Sequence, residues 1–101
     1  MSTQIIASEA KIKNRSGTVT SGSTAQALMA TNKGRGGYWI QNLSAGDLYI
    51  SDVGTAAATQ PSMRIAAGGL YESSITGCPT NEISIFGATT GQVFSAREWS
   101  N

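Results

Sequence analysis

The side chains of this chain that could take part in chemistry are six carboxylates, seven basic groups and a single thiol; there is no histidine. Histidine is the most common general base and metal ligand, and the one side chain whose ordinary pKa lies near neutrality. A Ser-His-Asp triad is therefore impossible. Cys78 lacks the base that usually activates a nucleophilic thiol, so we interpret it as a small apolar loop residue.

The carboxylates offer little for acid–base or metal chemistry. A glycosidase needs two carboxyl groups flanking a sugar cleft, and Asp47 and Asp52 are the pair closest in sequence. Leu48 and Ile50 lie between them, whereas a calcium loop has oxygen ligands at alternate positions. We therefore predict solvated loop acids, no enzymatic activity, no cofactor and no metal. The other carboxylates are Glu9, Glu72, Glu82 and Glu98.

Length and charge limit the partners that the chain can have. Its 101 residues correspond to one domain, charged residues make up 13%, and the net charge is +1. A nucleic-acid-binding domain would carry a basic excess, and a membrane span would need roughly 18 consecutive apolar residues. The sequence has neither, so we expect neither nucleic acid nor membrane as a partner. With one cysteine there is no intrachain disulfide, and we expect no dependence on an oxidising compartment.

The most strongly patterned stretch runs from residue 37 to residue 51. Aromatic and β-branched residues are concentrated in 38–43 and 48–51, and 44–47 between them contains Ser, Gly and Asp, which favour turns. A connection of about four residues with a glycine is a common hairpin length. We therefore predict a β-hairpin here and expect it to form the nucleus of the core.

A second hairpin is predicted near the end of the chain. Polarity alternates over residues 82–88, which places Ile83 and Ile85 on one face, and a glycine-containing turn leads into a last strand. Phe86 and Phe94 interrupt the alternation on the opposite face. We therefore expect that both faces of this hairpin are covered, or that one aromatic pair meets a partner.

Residues 24–31 are ambiguous, since Ala, Gln, Leu and Met favour a helix, but one so short would be marginal without packing. In a chain otherwise rich in strands we predict a strand, with Leu28 facing inward. In total about six to seven short strands recur roughly every ten residues with turns between them. This spacing predicts an all-β fold, a small β-sandwich or jelly-roll-like domain.

The first 16 residues differ from the rest of the chain. They hold Ile5, Ile6 and Ile12 among several basic side chains. One interpretation is a solvated strand or a frayed end, since termini are often loose. The other is an extended N-terminal arm, residues 1–16, that docks on a neighbouring subunit through these isoleucines. The β-sandwich domain would then comprise residues 17–101.

Arg35 and Trp99 are further candidates for intermolecular contacts. Arg35 lies in a glycine-rich passage that does not fit a phosphate-binding loop, because its lysine precedes the glycines and a strand follows them. We predict that Arg35 is solvated or lies at a subunit contact. Trp99 belongs either to the core or to such a contact.

Five segments together resemble small virion proteins of tailed bacteriophages. They are Tyr38-Trp-Ile-Gln-Asn-Leu-Ser44, Leu48-Tyr-Ile50, Gly68-Gly-Leu-Tyr-Glu72, Glu82-Ile-Ser-Ile-Phe-Gly-Ala88, and Thr90-Gly-Gln-Val93 to Glu98-Trp99. In those proteins a first hairpin of similar pattern is followed by a Gly-Gly or Pro-Gly edge and a last hairpin with Ala-Thr-x-Gly-x-Val. The resemblance covers residues 36–99 and not the N-terminal segment.

The resemblance implies a capsid cement or decoration protein, made in the cytoplasm of a bacterial host and bound to the capsid surface of the virion. Its partners would be the phage major capsid protein and further copies of itself, as a dimer or trimer. Two alternatives stay open: a tail, fibre or baseplate β module, and a carbohydrate-binding module, which would need exposed aromatic residues. The candidate subunit or capsid contacts are Ile5, Ile6, Ile12, Arg35 and Trp99.

Overall fold

The computed structural model describes residues 12–74 and 76–100, which form nine β-strands and no helix. The all-β class predicted from the sequence is confirmed, with nine short strands where six or seven were expected. No helix that could cross a membrane is present in this part of the chain. The strands are β1 (Ile12–Asn14), β2 (Gly17–Thr18), β3 (Gln26–Met29), β4 (Arg35–Asn42), β5 (Leu48–Ser51), β6 (Met63–Ile65), β7 (Leu70–Glu72), β8 (Ile83–Gly87) and β9 (Val93–Ser100).

The strands form two antiparallel sheets that enclose one core, as in a β-sandwich. The first sheet has the order β1–β9–β4–β7, with β2 also pairing with β9; the second has the order β3–β8–β5–β6. Full burial of a large apolar side chain contributes about 1.5–3 kcal/mol, so the core supplies most of the stabilisation. Its members are Val19, Leu28, Met29, Tyr38, Ile40, Leu48, Ile50, Ile65, Ile83, Ile85, Phe94 and Ala96.

The two long strands, β4 and β9, alternate in polarity as expected of a sheet with one covered face. In β4, Tyr38 and Ile40 are buried and Trp39 between them is partly exposed. In β9, Phe94 is buried and Arg97 is exposed. The first sheet therefore has an inner face in the core and an outer face that carries a separate set of side chains.

Neither predicted hairpin forms. β4 belongs to the first sheet and β5 to the second, while β8 belongs to the second and β9 to the first. Each turn instead carries the chain across the sandwich. The prediction is wrong because a hairpin and a crossing both need two half-buried strands joined by a short polar turn, so the local sequence does not distinguish them. The crossing lets the apolar faces of both strands meet across the core.

Asn42, the last residue of β4, holds the β4–β5 crossing. Its buried side-chain amide donates to the carbonyl oxygens of Gly46 (2.7 Å) and Ile65 (2.9 Å), and its Oδ1 accepts from the N–H of Ser44 (2.9 Å). Ile65 belongs to β6 of the second sheet, so this amide joins the two sheets directly. The backbone of Asn42 also pairs with the β6–β7 connection.

Gln92 holds the β8–β9 crossing at the same end of the sandwich. Its Nε2 donates to Ser44 Oγ (3.1 Å) and to the carbonyl oxygen of Asp47 (3.0 Å), and its Oε1 accepts from the N–H of Thr89 (3.0 Å). The Ser44 hydroxyl in turn donates to Asn42 Oδ1 (2.7 Å). The two amides therefore belong to one hydrogen-bond network that fixes both crossings.

The strand predicted within residues 24–31 is confirmed as β3. Leu28 is buried as expected, and Met29 beside it is buried too. Two successive residues face the core because the pairing register with β8 shifts between Ala27 and Met29. Pairing with β8 thus overrides the helix propensity of this segment.

The inward face predicted for β8 is also confirmed, since Ile83 and Ile85 are both fully buried. Phe86 lies on the other side of that strand, where its ring meets the ring of Tyr49 edge to face, with centroids 6.2 Å apart. Phe94 is buried because β9 belongs to the opposite sheet. The crossing thus explains the burial of Phe94, while Phe86 packs against Tyr49 of the neighbouring strand in the same sheet.

β1 lies at an edge of the first sheet, where Ile12 pairs with Trp99 of β9. The predicted arm, residues 1–16, therefore includes one strand of the sheet. Ile5 and Ile6 lie outside the described residues.

Candidate functional site

The outer face of the first sheet brings together side chains from four strands. Asn14 of β1, Arg97 of β9, Trp39 of β4 and Glu72 of β7 are paired in register and form one row across the sheet. Side chains that stand opposite each other on neighbouring strands are close enough to interact. This row places a tryptophan between a positive and a negative side chain.

The adjacent row contains two of the predicted contact residues. Ile12 pairs with Trp99, and Trp99 pairs with Gly37 of β4. A Cβ atom at position 37 would overlap the indole of Trp99, so only glycine lets the ring lie against the sheet in this way. Ile12 is 48% exposed and Trp99 is partly exposed. The structure therefore places both residues on the outer face and not in the core.

Further apolar side chains extend this surface. Leu70 of β7 is 62% exposed and Val93 of β9 is 45% exposed. Single exposed apolar residues are common on proteins, but a group of them on one face marks an interaction surface. The outer face, defined here by Ile12, Trp39, Leu70, Val93 and Trp99, is the candidate functional site.

The centre of this face is shallow. The guanidinium carbon of Arg97 lies 5.0 Å from the centre of the Trp39 ring, a cation–π contact worth about 0.5–1 kcal/mol when exposed. Depressions of about 300 and 290 Å³ lie on the two sides of Trp39. Enclosed pockets that bury most of a ligand are the usual sites for small molecules. An open surface of this kind suits a broad partner better.

Arg35 does not lie on any contact surface, and the expectation that it is solvated is wrong. Its side chain is fully buried, with Nε donating to Glu98 (2.8 Å). Its two terminal nitrogens donate to the carbonyl oxygens of Pro79 (2.8 Å), Asn81 (3.0 Å) and Ala30 (2.8 Å). Arg35 thus ties two loops to the first sheet, and its role is structural.

Glu98 is the other half of this buried cluster. Besides Arg35, it accepts hydrogen bonds from Arg15 Nε (2.7 Å) and Asn32 Nδ2 (3.2 Å). Burial raises the pKa of Glu98, but the hydrogen bonds from Arg35, Arg15 and Asn32 outweigh it and hold the pKa below its ordinary value of 4.5. The carboxylate is therefore ionised at neutral pH and fully paired.

Acidification is expected to weaken the fold through Glu98. Because its pKa is lower in the folded protein than in the unfolded chain, its stabilisation is complete above pH 4.5 and is lost as the pH falls through the folded-state pKa. Urea unfolding from about pH 7 to about pH 3 is the measurement, comparing the protein with its Glu98→Gln variant. We expect their difference in stability to shrink below pH 4.5. A difference that stays constant over this range would contradict the assignment.

A further depression, about 510 Å³, lies beside the second sheet in the described part of the chain. It is lined mainly by small and polar side chains, and Glu82 is the one ionisable residue in its lining. A single carboxylate lacks the second group that acid–base hydrolysis requires. Among residues 12–74 and 76–100, no three His, Cys, Asp or Glu side chains are placed to share a metal ion.

Comparison with protein-family models, with curated proteins and with solved structures finds no match to this chain.

Proposed function

We propose that the protein is a structural component of a bacteriophage virion, a cement or decoration protein that binds the outside of the assembled head. The observation that carries the proposal is the outer face of the first sheet, where exposed apolar side chains surround two tryptophans. Such a face gains free energy when a partner covers it. The resemblance of the sequence to small virion proteins of tailed phages supports a phage particle as the assembly.

In this proposal each contact is modest and the assembly supplies the strength. A phage head presents many equivalent sites, so contacts made by linked copies add through multivalency. A protein that binds the assembled shell and not the free capsid subunits stabilises the shell by mass action. The net charge of +1 limits repulsion between neighbouring copies on the shell.

The first eleven residues provide the second contact in this proposal, through Ile5 and Ile6. They precede β1, which lies at an edge of the first sheet next to the outer face. A segment that carries two isoleucines and joins the domain at this edge can reach a neighbouring capsid subunit while the β domain stays in place.

Deletion of residues 1–11 is expected to weaken binding to assembled heads by roughly 10- to 100-fold, because burying two isoleucines contributes a few kcal/mol. The deletion stops before β1, since Ile12–Asn14 pairs with β9 and Arg15 forms an ion pair with Glu98. Co-sedimentation with purified heads measures the binding. The unfolding transition of the β domain should not change.

A pair of substitutions serves as a matched check on the deletion. Ile5→Ser together with Ile6→Ser should reproduce the loss, whereas Val53→Ser, at an exposed position outside the first sheet, should bind as the unchanged protein does. Full binding by the truncated chain would remove the N-terminal contact from the proposal. Binding of the full chain to tails and not to heads would replace the capsid role by that of a tail, fibre or baseplate component.

A further inference from the structure

The outer face carries two opposite charges without an ion-pair partner. Arg97 and Glu72 flank Trp39 in the same row, one strand away on each side. Neighbouring strands are about 4.8 Å apart, so the backbones of these two residues are roughly 10 Å apart. Neither residue takes part in an ion pair within the described ranges 12–74 and 76–100.

A second copy of the same face can satisfy both charges at once. Consider a two-fold axis that runs parallel to β4 and passes above Trp39. This axis places β9 of one copy over β7 of the other copy, because these two strands lie on opposite sides of β4. Arg97 on β9 then faces Glu72 on β7 of the other copy, and the reverse pair forms by symmetry. An axis perpendicular to the strands would instead set like charges against each other.

We propose that the outer face is a two-fold contact between two copies of this chain, with Trp39 meeting Trp39 at the axis and Arg97 of each copy pairing with Glu72 of the other. The inference rests on the proposed function, in which this face is a contact surface, and adds the partner and the pairing. Around the central row, Ile12, Leu70 and Trp99 contribute apolar area.

The size of the face fits such a contact. β4 and β9 have eight residues each and are about 26 Å long, whereas β1 and β7 have three residues each and are about 10 Å long. With neighbouring strands about 4.8 Å apart, the four strands cover roughly 350 Å² in projection. Protruding side chains raise the buried area toward the lower end of the roughly 600–1,000 Å² per partner of a standard interface.

An oligosaccharide fits the same face less well. The exposed aliphatic side chains of Leu70 and Val93 offer nothing to sugar hydroxyl groups. They do offer apolar area to another protein surface, and an identical copy also brings the complementary charges.

Charge reversal tests the pairing. Glu72→Arg and Arg97→Glu each convert both cross-copy pairs into repulsion, and each should weaken self-association by on the order of 100-fold. An equimolar mixture of the two variants should associate again, because every pair in the mixed dimer is then of opposite sign. Sedimentation equilibrium measures all three samples. The double variant Glu72→Arg/Arg97→Glu should also dimerise.

Two matched charge reversals outside the first sheet serve as controls for the change in net charge. Arg64→Glu in β6 and Glu82→Arg before β8 make the same charge changes on the second-sheet side of the molecule and should leave the dimer intact. The pairing is overturned if the mixture stays monomeric, or if either single reversal dimerises as the unchanged protein does. An unchanged protein that is monomeric would overturn the two-fold contact, and a response of its tryptophan fluorescence to oligosaccharides would favour sugar binding instead.

Failure of this inference is separable from failure of the proposed function. A monomer that still co-sediments with heads would remove the two-fold contact and keep the capsid role. A dimer that responds to the charge reversals as expected, but binds neither heads nor tails, would keep the two-fold contact and remove the virion role.

Discussion

Replacing Arg35 with methionine is expected to lower the free energy of unfolding by about 3–5 kcal/mol, the cost typical of breaking a buried ion pair. Methionine fills much of the same volume but removes the charge and four donated hydrogen bonds. Glu98 loses one of its partners, and three loop carbonyl groups lose the guanidinium as a donor. Urea or thermal unfolding measures the effect, and the thermal midpoint should fall by more than about 10 °C.

A matched control and a double variant separate the buried pair from a general effect of losing an arginine. Arg64 is an exposed arginine whose ion pair with Asp47 spans 3.5 Å, so Arg64→Met should change stability by less than about 1 kcal/mol. Adding Glu98→Gln to Arg35→Met should recover part of the loss, because a neutral amide then replaces a buried carboxylate that keeps only Arg15 and Asn32 as partners. Equal effects of the Arg35 and Arg64 substitutions would refute the structural role given to the cluster.

Short-range alternation in the sequence is enough to locate most strands and their inward residues. Leu28, Ile83 and Ile85 are predicted to face the core and are buried. This succeeds because the period of two depends only on the backbone of the strand and on one face being covered. Neither condition requires knowledge of which strand lies next to it.

The pairing of the strands, in contrast, cannot be predicted from the local sequence. The turns after β4 and β8 have the length and composition of hairpin turns, yet both lead into the other sheet. The hydrogen-bond network of Asn42, Ser44 and Gln92 holds both crossings, and its partners come from separate parts of the chain. No local window of sequence contains that information.

The residues of the candidate site also divide into those that the sequence identifies and those whose position depends on strand pairing. Ile12 and Trp99 are singled out in the sequence for unrelated reasons, and the pairing of β1 with β9 places them side by side. Arg35 is misplaced because its burial depends on Glu98, 63 residues away, while its glycine neighbours indicate a turn. The row of Arg97, Trp39 and Glu72 exists only once the strand register is known.

Replacing Asn42 with alanine is expected to cost about 2–4 kcal/mol of stability, since a buried group left without its hydrogen bond costs about 1–3 kcal/mol. The substitution removes the amide donor from the carbonyl groups of Gly46 and Ile65 and leaves the N–H of Ser44 without its acceptor. Because Asn42 joins the two sheets at the crossing, the loss should appear as reduced stability of the whole domain in urea unfolding.

Asn14 provides the matched control for this substitution. Its Oδ1 accepts from the N–H of Ser16 (3.0 Å), the same local bond that Asn42 makes to Ser44, but in an exposed position. Asn14→Ala should therefore cost less than about 1 kcal/mol, because water replaces the lost partner. Similar costs for the two asparagines would show that burial and the cross-sheet bonds of Asn42 contribute little.

The shared hydroxyl of Ser44 makes the two crossings interdependent. Gln92→Ala removes the donor to Ser44 Oγ, and Asn42→Ala removes the acceptor of the same hydroxyl. Once either amide is gone, Ser44 is already displaced from the network, so losing the second costs less than it would alone. The double variant should fall short of the sum of the single effects by about 0.5–3 kcal/mol. Strict additivity in urea unfolding would mean that each crossing is held independently.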